Sequence, residues 1–414
     1  MVAGAPGERM KIGKYWLLKP FEAFGNQAEE LFFSLLKCRR DGLRLLVLKR
    51  KWDLFGKVRF RKVNKQLANI QHPLIVSSVA WETACYFATF VLSVSRIAGT
   101  AVRRMRTAAG LPPTNNVLVT FSEASIGQSD LWGTPARPFD ANRGAIDWAG
   151  EFEEKLAVRF RPRAQLEKEF SCLAGRKYVC LHVRTGGFRN DYDFSAPRNA
   201  NIENYIPAIK ALTDVGYIVV RIGDPSMPPL QMKQVLDYAH SNEKSEINDI
   251  CLIEHCDAYI GSLTGPMDVA GLFEKRILAV NCISLSHCFW YRKGSLVLPK
   301  KAVMDGRRLS LKEQIDSHLF EIYGSGKTVD GVEFVENTPE EILGAVQEFI
   351  AQPELTGEQV SFNHYLAAKL AEYFNSTVIW QPAEKDAARK NRWFGRLVGA
   401  KGSVCAQYLG QNWQ

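Results

Sequence analysis

The stretch Lys177-Tyr178-Val179-Cys180-Leu181-His182-Val183-Arg184-Thr185-Gly186-Gly187 reads as a short apolar strand that ends in His182 and Arg184 and runs into a glycine-rich turn. A continuous apolar run bounded by turn residues marks a strand covered on both faces, as in a parallel sheet. An arginine at the carboxyl end of such a strand offers a planar, permanently charged fork of donors that matches a pyrophosphate. The alternatives are an interdomain ion pair for Arg184 and a satisfied core position for His182.

Downstream, strand and helix alternate. Asn201–Gly216 contains a helix and Tyr217–Gly223 is the next strand, with Arg221 at its end and Asp224 just beyond. Met232–Ser241 reads as a helix, Ala258–Ser262 as a strand, Pro266–Lys275 as a helix opened by Gly265-Pro266, and Arg276–Asn281 as a strand. Thr338-Pro339-Glu340-Glu341 marks a helix start with a cap, a proline and an acid in their preferred places, and helices continue to about Phe374. The basic tail after Trp380 is expected to pack loosely.

Upstream, Lys14–Pro20, Gln27–Arg40 and Arg44–Lys49 give strand, helix and strand, with a turn at Phe21–Asn26, so the helix is expected to begin just after Gly25-Asn26. Asn115–Phe121 looks like a strand and Ala149–Phe170 like a helix that leads into a second domain, with the boundary at about 165–176. The expected architecture is α/β: two Rossmann-like doubly wound domains facing a cleft. Residues 11–170 are expected to form the first domain, 176–365 the second, and 366–414 C-terminal helices and a basic tail.

Length and composition bound the function. With 414 residues, 46% of them apolar, the chain fills two to three cores by the usual measure of roughly 150 residues per domain. Fifty-three basic against forty-four acidic side chains leave +9, which favours anionic partners. The basic residues are scattered and carry no nucleic-acid signature. Nine cysteines without a C-x-x-C pair suggest a reduced, cytoplasmic protein without structural zinc. Pro73–Gly99 is apolar, but Glu82 and Arg96 leave only thirteen residues, Thr83–Ser95, between charges, too few for a bilayer crossing of about 20. It is expected to be a buried core helix. An in-plane helix on an anionic inner membrane face is the alternative, because basic segments flank it at 49–65 and 103–106.

Other loops at strand ends complete the candidate set. Ile260-Gly261-Ser262-Leu263-Thr264-Gly265-Pro266 joins a strand to a helix start, where Ser262 and Thr264 hydroxyls and the amides around Gly265 make an anion site; an ordinary helix cap is the alternative. The polar loop Asn190–Asn199 carries Asp191 and Asp193, either a candidate general base, and Arg198 and Asn199; for each acid alone a solvated loop is the simpler reading. No cluster has metal-ligand spacing beyond the weak Asp191/Asp193 pair. Gly324-Ser325-Gly326-Lys327-Thr328 mimics the end of a phosphate loop, but Glu321 stands where its first glycine belongs. Cys180 and Arg184 are three residues apart, too close for the five-residue loop of a cysteine phosphatase.

Leu181–Arg184, Arg198-Asn199, Tyr205–Ile209, Val220–Asp224, Leu236–Ala239 and Tyr259–Pro266, in that order, resemble a bacterial glycosyltransferase family often linked with surface polysaccharide. That family is distantly similar to the fucosyltransferase-like GT-B enzymes, whose H-x-R strand end contacts the donor diphosphate. Phe24-Gly25-Asn26-Gln27 is similar to their G-N-Q loop, while Thr185 stands where they often carry a second basic residue. The resemblance covers Lys177–Asn281 well, Lys14–Arg40 moderately, and Leu45–Phe170 hardly at all. It implies a metal-independent transferase that needs no cofactor and takes a nucleotide-diphosphate sugar as co-substrate. Arg184 would neutralise the leaving diphosphate and Ser262, Thr264 and Gly265 would hold its other oxygens. His182, Arg221 and Asp224 would contact base or ribose, and a glycan or lipid-linked acceptor would enter near Gly25, Asn26 and Gln27. A sugar-nucleotide epimerase of the same architecture and a non-catalytic sugar-nucleotide binding protein remain alternatives.

Overall fold

The computed structural model describes residues 15–18, 24–47, 66–76, 80, 83, 87, 104–110, 155–188, 196–285, 292–317, 319, 331–351, 354–376 and 401–414. The chain divides into two compact units, Met1–Arg143 and Gly144–Gln414.

In the first unit β1 (Tyr15–Leu18) and β2 (Arg44–Val47) pair in parallel across α1 (Phe24–Asp41). Ala28, Leu31, Phe32, Leu35 and Leu36 form the buried face of α1, as their spacing predicts. Gly42 ends the helix in the left-handed region at φ +64°, and the Leu43 amide closes on the Cys38 carbonyl at 2.8 Å. The helix starts earlier than expected, so Gly25 and Gln27, both buried, lie in its first turn rather than before it. Of the apolar stretch Pro73–Gly99, the described Ala80, Thr83 and Phe87 are helical and exposed. They share one helical face, so that face is not the core face expected from hydropathy. No helix among the described residues is long and apolar enough to cross a membrane. The strand expected at 115–121 lies outside the described residues.

The second unit is built on seven parallel strands in the order β12-β8-β7-β6-β3-β4-β5. These are β3 (Tyr178–His182), β4 (Ile218–Arg221), β5 (Val235–Leu236), β6 (Ala258–Gly261), β7 (Arg276–Cys282), β8 (Leu296–Pro299) and β12 (Ser403–Val404). β3 is buried along its whole length, which is why its sequence lacks polar alternation. α2 (Ile206–Asp214), α3 (Glu246–His255) and α4 (Gly265–Leu272) connect successive strands. β9 (Lys301–Met304), β10 (Arg307–Arg308) and β11 (Val332–Val335) form a small antiparallel sheet over Ala302, Leu309 and Leu319. α5 (Pro339–Ala351) starts on the expected capping box: the Thr338 amide donates to Glu341 at 3.0 Å, and the Glu341 amide to the Thr338 hydroxyl at 3.3 Å. α6 (Gly357–Ser376) follows.

Four further expectations are corrected. The helix expected at 149–170 is confined, among the described residues, to Arg163–Glu169, because two carboxylates capture the backbone ahead of it. Glu274 accepts from the amides of Leu156 and Ala157 at 2.9 and 3.1 Å, and Glu254 from those of Phe160 and Arg161 at 2.7 and 2.9 Å. These bonds fasten 155–161 to the second unit, so the division falls at Arg143/Gly144 rather than at 165–176. Met232–Ser241 is not a helix. Val235-Leu236 extends the sheet edge, and Asp237, bonded to Arg221 and to the Leu230 amide at 2.8 Å, leads into a single 3-10 turn. The end of the basic tail is not loose: Ser403-Val404 pairs with β8, and α7 (Ala406–Asn412) buries Tyr408 and Leu409.

Candidate functional site

Chain direction across the sheet reverses at β3. From β3 the chain runs outward to β4 and β5, and from β6 it runs the other way to β7 and β8. The loops leaving β3 and β6 therefore diverge at adjacent carboxyl ends, the position where doubly wound sheets hold ligands. Arg184 leaves β3 at this point, and Ser262, Thr264 and α4 leave β6.

The two loops are laced together. The Arg184 amide donates to Ser262 Oγ at 3.3 Å, and the Ser262 amide to the His182 carbonyl at 3.0 Å. Thr264 Oγ1 lies 3.1 Å from His182 Nδ1 and 3.3 Å from the Ser262 carbonyl. Thr264 occupies the cap position of α4, yet its side chain does not cap the helix amides; it turns to His182 instead. Gly261 permits the close approach. At φ +150° a Cβ there would stand 2.1 Å from the His182 carbonyl oxygen, a distance no side chain can occupy.

Burial, with the Arg184 guanidinium beside it, pushes the His182 imidazole down to about 4. At neutral pH His182 is uncharged and shares one hydrogen bond with Thr264, so it adds shape and a dipole rather than charge. The positive charge at the junction belongs to Arg184, itself buried. One guanidinium nitrogen donates to Asn199 Oδ1, and the Ala200 amide returns a bond to the Arg184 carbonyl at 3.0 Å. Thr185 Oγ1 is buried beside them and hydrogen-bonds nothing among the described residues.

The structure thus brings together His182, Arg184, Asn199, Ser262, Thr264 and Gly265. Arg198 lies next to them in the turn Ala196–Arg198. Arg221 points inward: its NH1 donates to the Pro228 carbonyl at 2.6 Å and to both Asp237 oxygens at 3.1 and 3.2 Å, and the residue is 1% exposed. These contacts make Arg221 a brace for the loop after β4 rather than a free donor at the strand end. Asp224 accepts from the amide and hydroxyl of Ser226 at 3.0 and 2.5 Å, so its carboxylate closes its own turn. Asp191 and Asp193 lie outside the described residues, as does the Asn26 side chain. Gly25 and Gln27 belong to the first unit.

Lys300 belongs to the same site, although its sequence context does not mark it. It follows β8, is 2% exposed, and donates from Nζ to the Asn199 carbonyl at 2.8 Å. Burial pushes its ammonium down to about 8, against the opposing pull of Glu336. Its signal was faint, because Pro299-Lys300-Lys301 looks like an exposed basic turn. No group of three or more His, Cys, Asp or Glu residues among the described residues is arranged to hold a metal ion.

No family model matches the chain, and no curated protein does. Among solved structures it is similar to the E. coli ADP-heptose lps heptosyltransferase II, with 14% identity, 81% of this chain and 98% of that chain covered, and a TM-score of 0.39. It is also similar to a glycosyl transferase family 9 structure from Veillonella parvula DSM 2008, with 10% identity, 84% and 100% covered, and a TM-score of 0.40. Likeness at this level carries no argument, and the site stands on its own geometry.

Proposed function

We propose that the second unit binds the diphosphate of a nucleotide sugar at the β3/β6 junction, and that the protein is a glycosyltransferase moving the sugar to a glycan or lipid-linked acceptor in surface polysaccharide synthesis. The observation that carries this reading is Arg184: a buried guanidinium at the topological switch point, flanked by Ser262, Thr264 and the start of α4. A nucleotide sugar leaves as a diphosphate, so negative charge builds on the bridging oxygen as the glycosidic bond breaks. A preorganised cation in a dry site stabilises that charge without a reorganisation cost. Arg184 fills the role that a divalent ion fills elsewhere, and no metal is assigned to the step. The Gly265 amide and the positive end of α4 would face the second phosphate; Pro266 has no amide hydrogen and that of Met267 already donates to the Thr264 carbonyl at 2.9 Å.

Neutral His182 holds Thr264 and shapes the wall on which base or ribose rests. Asp191 or Asp193 would take the proton from the acceptor hydroxyl. The acceptor itself is assigned to the first unit, near Gly25, Asn26 and Gln27. The basic residues at 49–65 and 103–106 suit an acceptor held at an anionic inner membrane surface, with the protein cytoplasmic and peripheral.

The test is turnover of a panel of nucleotide-diphosphate sugars with a crude glycolipid acceptor, in magnesium and in EDTA, read as released nucleoside diphosphate. Release that needs acceptor, survives EDTA and is lost in Arg184→Ala supports the reading. A changed nucleotide sugar formed without acceptor would identify an epimerase, and binding without turnover a sugar-nucleotide binding protein.

A further inference from the structure

We propose that Lys300 is a positioning residue of the donor site: through the Asn199 carbonyl it holds Asn199 where the side-chain oxygen orients the Arg184 guanidinium toward the diphosphate. This rests on the reading that Arg184 meets a diphosphate. Lys300 arrives from β8, three strands across the sheet from β3. Its own amide donates to the Cys282 carbonyl at 2.8 Å, so the residue is anchored in the sheet end before its side chain reaches across.

Asn199 is the hub of the arrangement. Its side-chain oxygen accepts from Arg184, its carbonyl accepts from Lys300, and the next amide binds the Arg184 carbonyl. The far side of the same segment is pinned by Glu336, which accepts from the Asn201 amide at 2.9 Å and from Asn204 Nδ2 at 3.3 Å. The path from β8 to the guanidinium therefore runs through one residue held on both flanks.

The chemistry argues against mere filling of space. Lys300 is buried and makes no ion pair among the described residues; the acceptor of its ammonium is a neutral carbonyl. A buried ammonium so placed is costly, and an apolar chain of like length would occupy the volume without that cost. A cation here instead polarises the Asn199 peptide and fixes its position in a low-dielectric setting. Buried as it is, with the residue 2% exposed, Lys300 acts through Asn199 and not by touching the ligand.

The experiment is calorimetric titration with GDP, UDP, ADP and dTDP of the full chain and of Lys300→Met, Lys300→Arg, Asn199→Ala, Arg184→Ala and the double variant Lys300→Met/Arg184→Ala. The expected result is an affinity loss of about tenfold in Lys300→Met and in Asn199→Ala, since a misplaced donor forfeits much of its bond. Lys300→Arg should recover most of it. In the Arg184→Ala background Lys300→Met should add less than about twofold, because both act through one guanidinium. Wild-type affinity in Lys300→Met and Asn199→Ala, with Arg184→Ala still weak, overturns the inference and leaves the donor site standing. A further tenfold loss in the double variant overturns it too, since Lys300 would then act independently of Arg184. If the unaltered protein binds none of the four nucleotides, the donor reading and this inference fall together. Should Lys300→Met fail to fold, Asn199→Ala decides alone.

Discussion

Replacing Arg184 separates ligand binding from folding, because the two effects differ in size. A buried guanidinium meeting a phosphate makes charge-assisted bonds worth about 1.5–3 kcal/mol each, and a forked contact makes two. Allowing for overlap, the loss on Arg184→Ala is about 3–4 kcal/mol, or roughly 100- to 1,000-fold in nucleoside diphosphate affinity. The folding side is smaller. Among the described residues the variant forfeits the charge-assisted bond to Asn199, about 1.5–3 kcal/mol, and regains a comparable cost of keeping a buried charge out of water. The net change should stay within about 1 kcal/mol, or about 2–4 °C in melting temperature for a unit of this size. Arg184→Met keeps most of the volume and should behave alike, which separates lost charge from lost packing. Arg184→Lys keeps the charge but not the fork, and should lose about tenfold. A second signature lies in His182: Arg184 is, after burial, the strongest influence holding its imidazole at about 4, so its titration should move upward in either neutral variant. Calorimetry gives the affinity, thermal unfolding the stability, and NMR the histidine titration. Affinity within twofold of the unaltered protein would refute the reasoning, as would a melting temperature lowered by more than about 10 °C with the folded fraction binding normally.

Other outcomes follow from the same geometry. Gly261→Ala places a methyl 2.1 Å from the His182 carbonyl at a strained φ, so β3 and β6 must part; thermal unfolding should show a loss of at least about 3 kcal/mol. His182 is harder to protonate folded than unfolded, so stability should fall as pH drops from about 6.5 toward about 4. The slope amounts to about 2 kcal/mol between pH 7 and 5 in urea titrations and should flatten in His182→Asn, while an equal slope in that variant would place its origin elsewhere. Deleting residues 401–414 removes β12 and uncovers the sites of Tyr408 and Leu409. At roughly 2 kcal/mol for each large apolar side chain the second unit should lose more than about 4 kcal/mol and aggregate; a soluble truncate with an unchanged melting temperature contradicts this.

What the sequence disclosed was local. β3, β4, β6 and β7 are continuous apolar runs closed by Gly, Asp or Asn, and Thr338 to Glu341 spells a capping box, so no distant information was needed to read them. Arg184, Ser262 and Thr264 were legible for the same reason, since residues at the carboxyl ends of such strands converge once the sheet forms. The misreadings were set by distant partners. Val235-Leu236 and Tyr238-Ala239 have a helix-like spacing, but Asp237 is claimed by Arg221 and the Leu230 amide. The segment 155–161 is held out of a helix by Glu254 and Glu274, about a hundred residues on. α3 begins on a good cap, the Ser245 hydroxyl accepting from the Asn248 amide at 3.1 Å, yet buried Asn248 and Glu254 blur its apolar stripe. Lys300 and Arg221 are long basic chains enclosed by loops that the folded sheet brings to them, and charge alone does not tell an exposed lysine from an enclosed one.

The most direct test of the account is hydrogen exchange, read by peptide mass spectrometry, with and without saturating concentrations of the tightest-binding nucleoside diphosphate. Protection concentrated in 181–188, 196–201 and 261–268, and absent in Arg184→Ala, is the predicted result. Saturable binding that protects other segments while leaving these three unchanged would contradict it, and so would the absence of any protection from the whole nucleotide panel.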